Sequence, residues 1–209
     1  MQLANWILAA AWAAAALTAQ TTGQATNNVK LDTEQARVLI VTEQPHHPSA
    51  LHEHAMNRVM IYLGAGQMTT TTPAGKVEKL DFKAGDVRWS PAGGQHISEN
   101  ITDHPFQIVE IELKNKPQGP LPASGLDPLK ADPKHYSLEF ENDQVRVLRV
   151  RFGPHEKGVL HEHKLNHIVV YLTDQARGKA GEVRLDGPMT HTEENPLDHA
   201  VERLAIDLK

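Results

Sequence analysis

The chain has 209 residues, with a formal net charge of −5, 13 histidines and no cysteine. At this length roughly two-thirds of the unfolded chain's surface can be buried, so a substantial core is within reach. There is no basic stripe of the kind a nucleic-acid binder carries, so no nucleic-acid partner is expected. Disulfides are excluded, and any metal must be held by histidine, carboxylate or water.

The chain opens with an apolar, alanine-rich run, Ile7 to Leu17, followed by the polar stretch Thr18 to Asn28. Eleven apolar residues are too few for a spanning helix of ~20 residues. The run fits the apolar region of a secretory signal peptide over residues 1–25, with cleavage after Ala19 or Ala25, although no Lys or Arg precedes it. Export to the periplasm or the medium is therefore expected, with no stable membrane insertion once the segment is removed.

The rest of the chain repeats itself. The segment His52 to Leu63 (HEHAMNRVMIYL) matches His161 to Leu172 (HEHKLNHIVVYL), with six of twelve positions identical at an offset of 109. The same offset relates Arg37-Val38-Leu39 to Arg146-Val147-Leu148 and Pro45-His46 to Pro154-His155. Towards the ends the offset falls to 95: Glu99-Asn100, Asp103-His104 and Ile111 match Glu194-Asn195, Asp198-His199 and Ile206. The second copy therefore lacks about fourteen residues. The loss falls mostly in Gly64 to Lys83, which reads as a β-hairpin with the turn Pro73-Ala74-Gly75. Between the copies, Lys116 to Lys134 holds five prolines and two glycines, a linker composition. The units are thus expected at 26–115 and 135–209, joined by 116–134.

Strands are expected throughout. Val109 to Leu113 and Leu148 to Phe152 alternate apolar with charged residues, the period that sends side chains to opposite faces of a strand. Many short strands with Gly/Pro turns indicate a sandwich or barrel.

His52 and His54 are one residue apart, so on a strand both imidazoles share a face and can share an ion. A glycine- and proline-rich turn then delivers His96. The second copy repeats the pattern with His161, His163 and His191. Gly85, Pro91, Gly93, His96 and Asn100 lie at the spacing Gly-x5-Pro-x-Gly-x2-His-x3-Asn, behind a His-x-His pair. This resembles the two motifs of the cupin superfamily, over nearly the whole chain after the N-terminal run. In the second copy the later motif is one residue shorter and Pro188 is displaced.

The resemblance implies an all-β protein of two tandem cupin barrels (double-stranded β-helices, jelly-roll-like), the second shortened by about one hairpin. It also implies a divalent metal ion in each, of which Fe, Mn, Zn, Ni and Cu all suit imidazole or the family. The family's fourth ligand, a glutamate, is missing from both copies; its slot falls at Arg58 or Val59 in one and at His167 or Ile168 in the other. His167 is therefore a candidate extra ligand, while Arg58 and Trp89 are candidates to bind a small-molecule substrate. His46, His155, His104 and His199 read as turn or supporting residues. The complete first barrel is expected to do the chemistry and the second to pack on it, or on another subunit in a homodimer, through an exposed edge. Two functions follow: a small exported metalloenzyme, with three-histidine dioxygenase-like or Lewis-acid chemistry on a small polar substrate, or a non-catalytic module binding or sensing a small molecule outside the cytoplasm.

Overall fold

A computed structural model describes residues 26–116, 118–121 and 123–209; the apolar run and the expected signal segment lie outside the described residues. The N-terminal unit holds β1 (Thr26–Asp32), β2 (Ala36–Glu43), β3 (Arg58–Tyr62), β4 (Gly66–Thr71), β5 (Val77–Phe82), β6 (Val87–Ser90), β7 (Ile97–Asn100) and β8 (Phe106–Leu113). After one helical turn, α1 (Pro128–Ala131), come β9 (Tyr136–Glu141), β10 (Val145–Phe152), β11 (His161–His163), β12 (His167–Tyr171), β13 (Val183–Asp186), β14 (Met189–His191) and β15 (Val201–Leu208). Asp127 caps α1 by accepting from the Leu129 amide. Among the described residues no helix is long and apolar enough to cross a membrane.

Each unit has a five-stranded antiparallel sheet, ordered β1-β2-β8-β3-β6 in the first and β13-β12-β15-β10-β9 in the second. The first also has a sheet ordered β5-β4-β7; the second has only the pair β11-β14. No strands stand between β12 and β13 where β4 and β5 stand between β3 and β6. The expected loss of a hairpin is therefore real.

The two large sheets face one another. Val38, Val59, Ile61, Val109 and Ile111 meet Val147, Ile168, Val170, Leu204 and Ile206 in one shared core, all essentially inaccessible. The alternate residues of the same strands fill the barrels: Met60, Tyr62 and Ile108 in the first, Leu148, Val150, Phe152 and Ala205 in the second. This is why β3 and β12 are buried at every position. The second unit packs by a sheet face rather than by an exposed edge, because both faces of β10, β12 and β15 are apolar along much of their length and each must be covered.

Polar contacts across this interface come in reciprocal pairs. Asn57 Nδ2 donates to Gln144 Oε1 (2.6 Å), and Asn166 Nδ2 donates to Gln35 Oε1 (2.7 Å). Gly85 and Gly181 both adopt φ near +84°, and a Cβ at either would press on a leucine of the other unit, Leu172 and Leu63 respectively. The repeat thus produces a pseudo-twofold within one chain.

Candidate metal centre

His161 and His163 lie on β11, which pairs with β14 so that His161 sits opposite His191. In the N-terminal unit an isolated bridge sets His52 opposite His96. Each strand or bridge projects its histidines to one side, as the alternation requires. The two clusters match: ring centroids are 4.5, 4.9 and 5.4 Å apart for His52–His96, His52–His54 and His54–His96, and 4.5, 5.2 and 5.5 Å for the corresponding pairs of the second unit. In both triads the ligating atoms lie within 4.8 Å of one another.

Backbone carbonyls orient the rings. Nδ1 of His52, His96 and His161 lies 2.8 Å from the carbonyl oxygens of Ala50, Gly94 and Val159. A carbonyl only accepts, so the ring proton belongs on Nδ1 and the Nε2 lone pair points away. Burial drives the His54 pKa down to about 3, helped by Arg58 and the other two histidines, and the His191 pKa to about 4. Neutral imidazoles are what a metal needs. Nε2 of His191 is buried with no hydrogen-bond partner. The residues present therefore fit a divalent ion: three converging imidazoles in each unit, with Nε2 of His191 left unsatisfied without it.

The remaining expected residues fall out differently. His167 projects into the second barrel but groups with His163 and Asp207 rather than with the whole triad. It stacks on His163 with ring centroids 4.4 Å apart, and burial lowers its pKa. Trp89 is not in the site. It follows the alternation of β6 outward, packs against the shared core and meets Phe140 edge-on at 6.3 Å, because the opposite face of β6 is the one that lines the barrel. Arg58 does face the barrel, but its charge is already paired: Nη1 donates to Glu110 (2.9 Å) and Nη2 to Ser90 Oγ (2.9 Å), which leaves Nε buried without a partner. It neutralises a buried carboxylate instead of waiting for an anion. His46 and His155 both sit at φ near +55° and reach Asp103 and Asp198 at 3.0 and 2.8 Å, so they are turn residues as expected. Asn100 and Asn195 donate across their loops to the carbonyls of His104 and His199.

Two residues not anticipated from the sequence stand beside the second triad. Tyr136 Oη lies 2.9 Å from Nε2 of His161 and donates to Glu193 Oε2 at 2.6 Å, and Glu193 pairs with Arg203. Burial works to raise the Glu193 pKa, but Arg203 and the Tyr136 hydrogen bond outweigh it and hold the carboxyl below the usual range. The repeat pairs Glu193 with Ser98 at an inward position, the one signal that could have singled it out. Tyr136 pairs with Asn27 and carries no such signal. Under the N-terminal triad, burial and the neighbouring Glu110 raise the pKa of Glu43.

The missing hairpin opens the second barrel. In the first unit β4 pairs with β7, Met68 opposite Asn100 and Thr71 opposite Ile97. In the second, the counterpart of β7 (residues 192–195) lines a cavity of about 680 Å³, together with Lys157, Arg177, Arg184 and Arg203.

No family model matches the chain, and no curated protein matches it. Among solved structures it is similar to AerE from Microcystis aeruginosa (10% identity, 91% of this chain and 95% of that one, TM-score 0.61). It is similar to a cupin 2 conserved barrel domain protein from Leptotrichia buccalis (12%, 90% of each chain, TM-score 0.54) and to oxalate decarboxylase from Bacillus subtilis (14%, 88% of this chain and 75% of that one, TM-score 0.57). These likenesses bear on the fold. With the repeat, the two facing sheets and the paired triads, they show that the chain has the two-barrel fold of the bicupins, all-β, with the second barrel shortened by one hairpin.

Proposed function

We propose that the protein is an exported metal-binding bicupin that holds one divalent ion in each unit, His52, His54 and His96 supplying one site and His161, His163 and His191 the other. The observation that carries this is the agreement of the two triads to within 0.3 Å in ring separation, although the barrels around them differ by a whole hairpin. Packing alone does not ask for six converging imidazoles. Imidazole sets suit Zn, Cu, Fe and Ni, and the oxalate decarboxylase neighbour is described with Mn(II) centres. The apolar run at Ile7 to Leu17 supports export.

We further propose that the C-terminal centre is the working site of a small metalloenzyme. This reverses the division of labour expected from the sequence, in which the complete barrel does the chemistry. The cavity reaches this centre through Glu193; of its four cationic side chains, Lys157, Arg184 and Arg203 are paired with Glu194, Asp186 and Glu193, and Arg177 has no ion pair among the described residues. Arg177 is the cation left to take a small anionic molecule such as a carboxylate. When bound, the ion supplies Lewis-acid polarisation and open coordination positions. The protein's own residues bind and orient: Arg177 takes the anion, Glu193 accepts a hydrogen bond from Tyr136, and Phe152 and Val201 form an apolar wall. The N-terminal barrel is filled at its other end by Met60, Tyr62, Met68, Phe82 and Phe106, which favours a binding or structural role for its ion.

The test is metal content per chain of untagged protein by elemental analysis. Wild type should carry two ions, and His52→Ala and His161→Ala one each. No uptake of Fe, Mn, Zn, Ni or Cu would overturn the reading.

A further inference from the structure

The hydrogen bonds around Tyr136 do not balance. As a metal ligand His161 carries its one ring proton on Nδ1, committed to the Val159 carbonyl at 2.8 Å, so its Nε2 lone pair lies beside Tyr136 Oη at 2.9 Å. The same Oη lies 2.6 Å from Glu193 Oε2. A phenol has one proton. Glu193 does not supply a second, since the same Oε2 also accepts from the Arg203 guanidinium. The phenolic proton goes to the shorter, charge-assisted contact. Two lone pairs then face each other, in a place where Tyr136 and His161 are 3% and 0% exposed and water is excluded. A cation satisfies both. Two donors held by one ion at ~2.0–2.1 Å stand ~2.9–3.4 Å apart for bond angles of about 90–109°, and the Oη–Nε2 distance falls in that interval. The partnerless Nε2 of His191 belongs to the same cluster.

We propose that Tyr136 is the fourth protein ligand of the C-terminal ion, giving this centre the anionic donor that His167, at its glutamate slot, does not supply. The inference rests on the metal-binding reading above. On ligation the Tyr136 O–H bond breaks and its proton passes to Oε2 of Glu193, which lines the cavity and releases it to solvent; the phenolate oxygen donates an electron pair to the ion, and nothing is oxidised or reduced. The N-terminal unit has Asn27 and Ser98 at the matching positions, so its centre is imidazole only and the two sites differ in kind.

The full chain carrying His52→Ala and His54→Ala, which silence the N-terminal triad, is loaded with Fe(III) and assayed for iron content, visible absorption and resonance Raman scattering. One iron per chain is expected, with a phenolate-to-iron charge-transfer band and enhanced tyrosinate vibrations. Tyr136→Phe should abolish both while still binding iron, about tenfold or more weakly, the scale on which losing even an outer partner weakens a metal site. If Tyr136→Phe does not fold, Glu193→Gln keeps the phenol but removes its proton acceptor, and must weaken the band at equal iron content. Bound iron with no such band, or a band that survives Tyr136→Phe, overturns the assignment. Failure to take up any iron overturns it together with the metal reading, and the iron analysis tells the two failures apart.

Discussion

Acid should unfold the metal-free protein through the same histidines that would hold the ions. His54 and His191 are shifted from an ordinary 6.5 to about 3 and about 4 in the fold. Between pH 6.5 and those values the unfolded chain binds two protons that the folded chain refuses, so stability falls as pH falls through that window. At pH 5 each group, taken at face value, costs about 2 kcal/mol relative to pH 7. Both sit only about half-buried, so solvent screening at least halves this. Together they remove about 2 kcal/mol, which is ~0.7–1 M in urea midpoint for a slope of ~2–3 kcal/mol/M. Most carboxylates are still ionised at pH 5, so the comparison is selective. The assay is urea unfolding with chelator at pH 7 and pH 5, for wild type and for His54→Gln with His191→Gln. The double variant should lose part of the pH dependence, the remainder coming from His161 and His167, which burial also holds low. An equal pH 7 to pH 5 shift in both proteins would refute the argument.

Because one core joins the sheets, Ile61→Ala or Leu204→Ala, both fully buried, should each cost about 2–5 kcal/mol and destabilise both units in a single calorimetric transition. Two separate transitions would contradict a shared core. Arg146→Ala strands Asp207, which is 2% exposed and accepts from Arg146 at 2.8 Å, so a loss of about 3–5 kcal/mol is expected by chemical denaturation; a neutral result would mean that Asp207 finds another partner.

The sequence by itself determined the strands, the two copies, the lost hairpin and the six histidines. These are local or repeated signals: alternation reports which faces are buried, and an internal duplicate turns a lone His-x-His into a pattern that chance does not supply. His191 was legible although its motif is distorted, since the pairing of β11 with β14 tolerates a displaced proline. Only the tertiary structure decided which face of a strand meets which neighbour. Alternation says which residues of one strand share a face, but not how β3 and β6 register or which face is the barrel; Arg58 pairs with Ser90 and Val59 with Trp89, so Trp89 went to the shared core while Arg58 met Glu110. Tyr136 and Glu193 are 57 residues apart, and no sequence period links them. Their meeting at His161 depends on how β9 folds back along β10 and on the gap left by the missing hairpin, both of which exist only once the chain has closed on itself.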